Sequence, residues 1–411
     1  MKQGYLSQYL EGVALKRLSD VEADVISSNQ HEFNGVEGLR KILGEPVGKQ
    51  RFSAKFLYLT DHDDEPVVEV GFLTWYDARQ KARLERSVMR CEYRLYFPTN
   101  RVSQCAAAGD LLVIAKQAGD SLLAIVAEKG TTIERQIMWL FGFSEDAHPG
   151  FSVKSEMETE QDRIGFAARV ILEQIGVEPE EEAPNYLDQM LEKFNGTFPR
   201  TVEFSAYARS TISDLSSCDS PDGALVAWME REEILFRTLE KHLLGEELRS
   251  LTKKGVEDTE PFIKLVQSAL QRRKSRAGSA LENHLEQIFI DHGVKYTRTG
   301  VTEKNLKPDF IFPSIASYRD SNFPPARLTM LASKSTCKDR WRQILNEAAR
   351  IPQKHLLTLE PSISENQTEE MKTEHVQLVI PRGLHGTYTP AQQKWLMSVA
   401  TFTELAQQRQ H

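Results

Sequence analysis

The chain has 411 residues, 40% apolar and 27% charged, with 51 Lys and Arg against 59 Asp and Glu for a net charge of -8. That length exceeds what one hydrophobic core ordinarily serves, so at least two domains are expected. The composition is that of a folded globular chain, and the acidic balance argues against a protein that coats nucleic acid by bulk charge while leaving room for local basic faces.

No run approaches the roughly 18 consecutive apolar residues of a membrane span, and Met1-Lys2-Gln3-Gly4 does not open an apolar signal segment. A cytoplasmic protein without a membrane partner is expected. Cys91, Cys105, Cys218 and Cys337 show no Cys-x-x-Cys spacing, so neither a zinc site nor a disulfide framework is indicated.

In chain order, Leu6 to Leu43 reads as helical or irregular. Phe56–Thr60, Val67–Phe72, Cys91–Tyr96, Leu111–Ala115 and Ser121–Val126 are β-branched or aromatic runs bounded by turn residues. With Ala118-Gly119-Asp120 as a tight turn, they predict a largely antiparallel barrel or sandwich. Between Gly176 and Pro184 a glutamate run with two prolines predicts an acidic linker over residues 176–197. Beyond it, Leu225, Trp228, Met229, Ile234, Leu235, Leu239 and Leu243 recur at helical spacing, as do Ile263, Val266 and Leu270; both sets are expected to be core faces. A helix carrying Leu281, Leu285, Ile288 and Phe289 ends near His292-Gly293. Phe310–Phe312, Leu328–Ala332, His355–Leu359 and Val376–Ile380 read as strands, with Trp341–Arg350 as a helix. This predicts an α/β layer with a central mixed sheet.

Asp309 at a strand start, Lys334 at the end of the next strand and Glu347 on the helix beyond could meet at one sheet edge. Two carboxylates that hold Mg²⁺ and a lysine that orients water suit phosphodiester hydrolysis. Ala332 stands where many nucleases of this type carry the second acidic ligand; on spacing alone Glu347 could replace it. Lys338-Asp339-Arg340 offers donors and an acceptor suited to guanine and cytosine edges, or simply a solvated helix start. Arg272, Arg273, Lys274 and Arg276 could contact phosphates, or form a basic turn.

Arg273-Lys274-Ser275-Arg276-Ala277-Gly278 with Leu281-Glu282-x-His284-Leu285-Glu286, Lys307-Pro308-Asp309-Phe310-x-Phe312-Pro313-Ser314, and Ser335 through Glu347 closely resemble the catalytic domain of EcoRII-type restriction endonucleases, from about Phe198 to Leu405. The resemblance implies a restriction-endonuclease fold with a PD-(D/E)xK core and helical elements over residues 198–411, acting as a homodimer on double-stranded DNA. It implies Asp309 and Glu347 as metal ligands for Mg²⁺, Lys334 as the residue that positions or activates water, and Glu282 in or just behind the site. Lys338 and Arg340 would read guanines and Asp339 cytosines, for a CC/GG site of the CCWGG kind. In such a family the second acidic residue sits on the helix, which accounts for Ala332. Ser333 departs from the apolar residue of the close relative.

Residues 1–175 resemble the EcoRII effector domain more faintly, through strand order and Trp75-Tyr76-x-x-Arg79 with Lys81, Arg83, Arg86 and Arg90. This implies a mainly-β pseudobarrel of the B3 type that binds a second copy of the site and restrains the nuclease. A companion methyltransferase is then expected in the host. The rival readings are a DNA-binding regulator whose nuclease fold no longer cuts, and a modification-dependent nuclease.

Overall fold

The computed structural model describes residues 4–24, 31–46, 48–62, 65–80, 85, 91–117, 119–143, 150–179, 184–213, 215–253 and 259–410, without the side chains of residues 184, 185, 338 and 339. Contacts divide the chain after Pro179, with Ser362–Asn366 counting in the first unit.

In the first unit, strands β1 (Leu10–Arg17), β2 (Glu32–Asn34), β3 (Gln50–Leu59), β4 (Val67–Asp77), β5 (Tyr93–Tyr96), β6 (Leu111–Gln117), β7 (Ser121–Ala127) and β8 (Ser152–Lys154) form one sheet. Its order is β2-β5-β4-β3-β7-β6-β1-β8. All pairs are antiparallel except β3 with β7. Gly119 and Asp120, at φ +91° and +62°, turn the chain between β6 and β7, as the tight turn anticipated.

The strand alternation sends side chains to two cores. Val113, Ala115 and Ile125 join helices α1 (Thr132–Phe141) and α2 (Phe166–Gln174) on one face. Leu112, Ile114, Ala124, Phe56, Leu73 and Trp75 fill the other. The sheet curls so that its edges meet through side chains: Phe33 on β2 and Phe151, directly before β8, have ring centroids 6.3 Å apart at 87°.

β1 corrects the expectation of helix or irregular chain from Leu6 to Leu43. Leu, Glu, Ala, Lys and Arg of Leu-Glu-Gly-Val-Ala-Leu-Lys-Arg are good helix formers, but the strand is almost wholly buried between β6 and β8, and burial overrides propensity.

The second unit opens on helices α3 (Pro184–Lys193), α4 (Thr201–Ser210), α5 (Pro221–Lys253) and α6 (Glu260–Asp291). The expected acidic linker over 176–197 is corrected here. Met190 and Phe194 pack with Phe204, Tyr207, Leu235 and Phe236, so the part of that stretch from residue 184 on is a packed helix; Glu180, Glu181 and Glu182 lie outside the described residues. The first apolar period on α5 is core, but Ile263, Val266 and Leu270 are 45%, 39% and 58% exposed. Leu265 and Ala269 form the buried face instead, because α5 meets α6 on that side.

Charged groups are also buried between these helices. Glu232 accepts from Arg276 Nη1 at 3.3 Å and lies 3.0 Å from His284 Nε2, while Arg209 Nη1 reaches His284 Nδ1 at 3.1 Å. A proton on Nε2 satisfies both contacts with a neutral ring, and burial holds the His284 pKa below its ordinary value.

A mixed sheet follows, ordered β13-β12-β11-β10-β9, from β9 (Thr297–Arg298), β10 (Phe310–Phe312), β11 (Thr329–Lys334), β12 (Lys354–Thr358) and β13 (Val376–Val379). β9, β10 and β11 are antiparallel, and β11, β12 and β13 parallel. Phe289 of α6 packs edge-on against Phe310 and Phe312 at 5.2 and 5.1 Å. Phe402 of helix α7 (Val399–Gln410) closes the same core. No described helix is long and apolar enough to cross a membrane.

Candidate active site

Two neighbouring strands bring the first pair of groups together. Phe310-Ile311-Phe312 is fully buried in β10 and aligns Phe310 with Leu331 of β11. Asp309, immediately before β10, is thereby set beside the end of β11. Its Oδ2 accepts from Ser333 N at 2.7 Å, Ser333 Oγ at 3.3 Å and Lys334 Nζ at 3.4 Å. Lys334 is the first residue of β11 to emerge from the core, and its side chain is 26% exposed against 15% for Asp309.

Ala332 has no exposure and pairs with Leu356 in the middle of the sheet. A carboxylate there would be buried among apolar neighbours, which gives the alanine a packing reason. Ser333, the departure noted in the sequence, supplies two of the three donors to Asp309.

Glu347 comes from a third segment, and here the expected helix over Trp341–Arg350 is corrected. Lys338–Asn346 is a 3-10 segment, and Glu347 lies just past it with an extended backbone, φ -79° and ψ 144°. Trp341 and Ile344 are buried three residues apart, a spacing that the tighter 3-10 winding places on one side. Glu347 Oε2 is buried without a hydrogen-bond partner. Burial pushes the Glu347 carboxyl above its ordinary pKa, Lys334 draws it down, and the negative charge of Asp309 adds to the rise. Asp309, Lys334 and Glu347 therefore share one electrostatic neighbourhood.

Glu282, on α6, is engaged elsewhere. It accepts from Arg298 Nη2 at 2.8 Å, and the same guanidinium reaches Glu286 at 2.7 Å and Asn283 Oδ1 at 2.9 Å. Arg298 pairs with Phe310 across β9 and β10, and Thr299 N donates to Asp309 O at 2.9 Å. Glu282 is thus linked to the Asp309 segment through Arg298 and β9.

Of the anticipated base readers, Arg340 is half-buried and its amide donates to Cys337 O at 2.8 Å. The side chains of Lys338 and Asp339 lie outside the described residues. The Cys337 amide is held by the buried carboxylate of Glu360, which fixes where the 3-10 segment starts.

The phosphate-contact expectation for Arg273 and Arg276 is corrected. Arg276 is 6% exposed and paired with Glu232 and Glu233, and Arg273 binds Glu240 at 2.7 Å. Both guanidinia lock α6 to α5. Arg272 stacks over Phe198 at 3.9 Å, and Lys274 is exposed. In the first unit, Trp75 is a core residue whose Nε1 donates to Gly44 O at 3.0 Å, and Arg79 pairs with Glu92 at 2.5 Å. Lys81, Arg83, Arg86 and Arg90 lie outside the described residues.

Sequence reasoning missed Arg298, Glu360 and Lys354. Lys354 is 5% exposed and donates to three backbone carbonyls of the segment that carries Glu347. Its one signal was a lysine at the head of the apolar run from His355.

Residues 236–403 match the family model described as EcoRII C terminal. Over 226 residues the chain is 43% identical to the type II restriction enzyme EcoRII of Escherichia coli, covering 54% of this chain and 54% of that enzyme. It is 31% identical over 112 residues to the type II restriction enzyme SsoII of Shigella sonnei, covering 25% of this chain and 35% of the relative. The match thus spans about half the length of the first of these relatives and about a third of the second. Among solved structures, metal-depleted Ecl18kI in complex with uncleaved, modified DNA is similar at 18% identity and a TM-score of 0.46, over 56% of this chain and 85% of that one. A PspGI–substrate DNA complex is similar at 14% identity and a TM-score of 0.40, over 56% and 94%. Asp309, Lys334 and Glu347 all lie within the residues that match the family model described as EcoRII C terminal.

Proposed function

We propose that this chain is a type II restriction endonuclease that hydrolyses double-stranded DNA with Mg²⁺ at a short CC/GG site of the CCWGG kind. The observation that carries this reading is the meeting of Asp309 and Lys334, 3.4 Å apart at adjacent strand ends, with the buried carboxylate of Glu347.

The residues fit a hard divalent cation. Glu347 Oε2 is a buried oxygen without a donor, and Asp309 raises the cost of ionising its carboxyl; a cation between them would relieve both. No group of three or more His, Cys, Asp or Glu suited to a metal occurs among the described residues. A two-carboxylate set is what Mg²⁺ uses when waters and substrate phosphate oxygens complete its shell. When bound, the ion would neutralise the phosphate and acidify a water.

The chain's own groups do the rest. Asp309 is held rigid by Ser333 and Lys334, so ordering it at the moment of reaction costs little. The Lys334 ammonium, a quarter exposed beside Asp309, orients the attacking water and favours its hydroxide form. Glu282 keeps Arg298, and through it β9, in register behind Asp309. Lys338 and Arg340 read guanines and Asp339 cytosines, each good contact discriminating by about 1 to 3 kcal/mol.

In this reading the enzyme is a cytoplasmic homodimer, and the first unit is a B3-like pseudobarrel that binds a second site and regulates cleavage, with Arg79, Lys81 and Arg83 among its DNA contacts. The curled sheet of that unit supports the assignment. Arg272 and Lys274 remain as backbone contacts of the second unit.

Incubating plasmid DNA with the purified chain and Mg²⁺, then sequencing the ends, tests the reading. Discrete ends at CC/GG sites are expected, lost with Asp309→Ala or Lys334→Ala. Full cleavage by either variant would overturn the site, and no cleavage by the unaltered chain would overturn the activity. Sedimentation of the protein checks the dimer.

A further inference from the structure

The segment after the 3-10 turn is shaped by a side chain that the proposed chemistry does not use. Lys354 opens β12, and its Nζ donates to the carbonyls of Glu347 at 2.5 Å, Ala348 at 2.7 Å and Ile351 at 2.7 Å. An ammonium has three donors, and all three are spent on this turn. Ala348 takes a left-handed backbone, φ +48°, a conformation that an L-residue adopts only at a cost. Convergence of three carbonyls on one nitrogen holds it there.

Burying an ammonium against neutral carbonyls is expensive, and Lys354 is 5% exposed. A filler at a strand head would be apolar. What the lysine adds is a tie between two parts of the site. Its backbone lies in β12, whose neighbour β11 ends in Lys334. Its head group defines the turn that begins at Glu347. The same turn is also held by Glu303, which accepts from Ala349 N at 3.4 Å, and by Phe323, whose carbonyl accepts from Arg350 Nη2 at 2.8 Å. The turn is therefore clamped from the sheet by Lys354 alone among these groups.

We propose that Lys354 is a positioning residue for Glu347: it fixes the turn of residues 347–351 so that the Glu347 carboxylate stands opposite Asp309 at the spacing a divalent cation requires. The inference rests on the nuclease reading. It assigns Lys354 no contact with DNA, water or metal.

The test uses the full chain with Lys354→Met, which keeps the length and removes the donors, together with Glu347→Gln and the double variant. Two quantities are read: the Mg²⁺ concentration for half-maximal plasmid cleavage, and Mg²⁺ affinity by calorimetry without DNA. Supports of metal ligands typically contribute about 10- to 100-fold in affinity, so Lys354→Met should weaken both by about that factor. In the Glu347→Gln background it should change calorimetric binding by less than about twofold, since the ligand it positions is already gone. Lys354→Arg retains charge but cannot direct three bonds from one nitrogen, and it should behave like Lys354→Met.

Unchanged Mg²⁺ dependence in folded Lys354→Met, or a loss of equal size with and without Glu347, overturns the proposal. If Lys354→Met does not fold, Lys354→Arg decides, and wild-type metal dependence there overturns it. An unaltered chain that neither binds Mg²⁺ nor cuts refutes the nuclease reading instead.

Discussion

Asp309 Oδ2 accepts from Ser333 N, Ser333 Oγ and Lys334 Nζ, and the three donors are unequal in what they do. Removing the amine removes both a charge and the group proposed to orient the attacking water. Lys334→Ala should therefore lower the cleavage rate by about 100-fold or more, the scale of a positioned acid–base group. Ser333→Ala deletes only the 3.3 Å hydroxyl bond and keeps the amide. It should cost less than about tenfold, measured in the same single-turnover assay; a loss as large as that of Lys334→Ala would mean that the hydroxyl has a role beyond holding Asp309. At a neighbouring position, burial and then the Arg409 charge push the His355 pKa from 6.5 to about 4. The folded ring stays neutral where the unfolded chain takes a proton. The stability present above pH 6.5 is therefore lost as pH falls from 6.5 towards 4, by about 3 kcal/mol in all. Urea melts at pH 7.5 and 5 should show this, and His355→Leu should flatten the difference; an unchanged slope in that variant would assign the acid sensitivity to other groups.

At the scale of elements, strands were legible where apolar runs were bounded by turn residues, and the four expected in the second unit lie where the sequence placed them to within a few residues, while the two-residue β9 carries too short a run to be read. The turn from Cys337 to Ile351 was not legible as structure. Trp341 and Ile344 satisfy the three-residue spacing of either helix type, and the two ends of the segment are held by Glu360, which binds the Cys337 amide from beyond β12, and by Lys354 at the head of β12, neither of which any local pattern marks. Glu360→Ala would leave the buried Cys337 amide unpaired, at a cost of about 1 to 3 kcal/mol. Thermal melts should register that loss, and a variant as stable as the parent would show that water replaces the carboxylate. The α6 pattern misled for a related reason: Phe262, Ile263, Val266 and Leu270 have the periodicity of a core face, yet all are exposed. Periodicity reports that a face is apolar and says nothing of what covers it.

For the molecule as a whole, the division after Pro179 and the helix Pro184–Lys193 locate where the chain can be cut. A fragment that starts at Phe198 lacks Met190 and Phe194, both within the core of α4 and α5. Losing two buried apolar side chains of this size costs several kcal/mol, about 2 to 5 for each truncation of such a residue. A fragment that starts at Glu180 keeps them and should melt well above the shorter one; equal melting temperatures would show that the α3 packing is not stabilising. Removal of the first unit should leave specific cleavage intact on DNA with a single site, where the full chain cuts poorly if that unit regulates.

The buried contact of Glu232 with Arg276 and His284 bears on which sequences can encode this fold. Either charge left alone in that interior would cost about 3 to 5 kcal/mol, whereas an apolar replacement of the whole set can be neutral. Substitution at one of these positions is thus a dead end unless the others follow. Among chains sharing the domain, positions 232, 276 and 284 should change together or not at all, and a library randomised at the three would return either the charged set or a wholly apolar one.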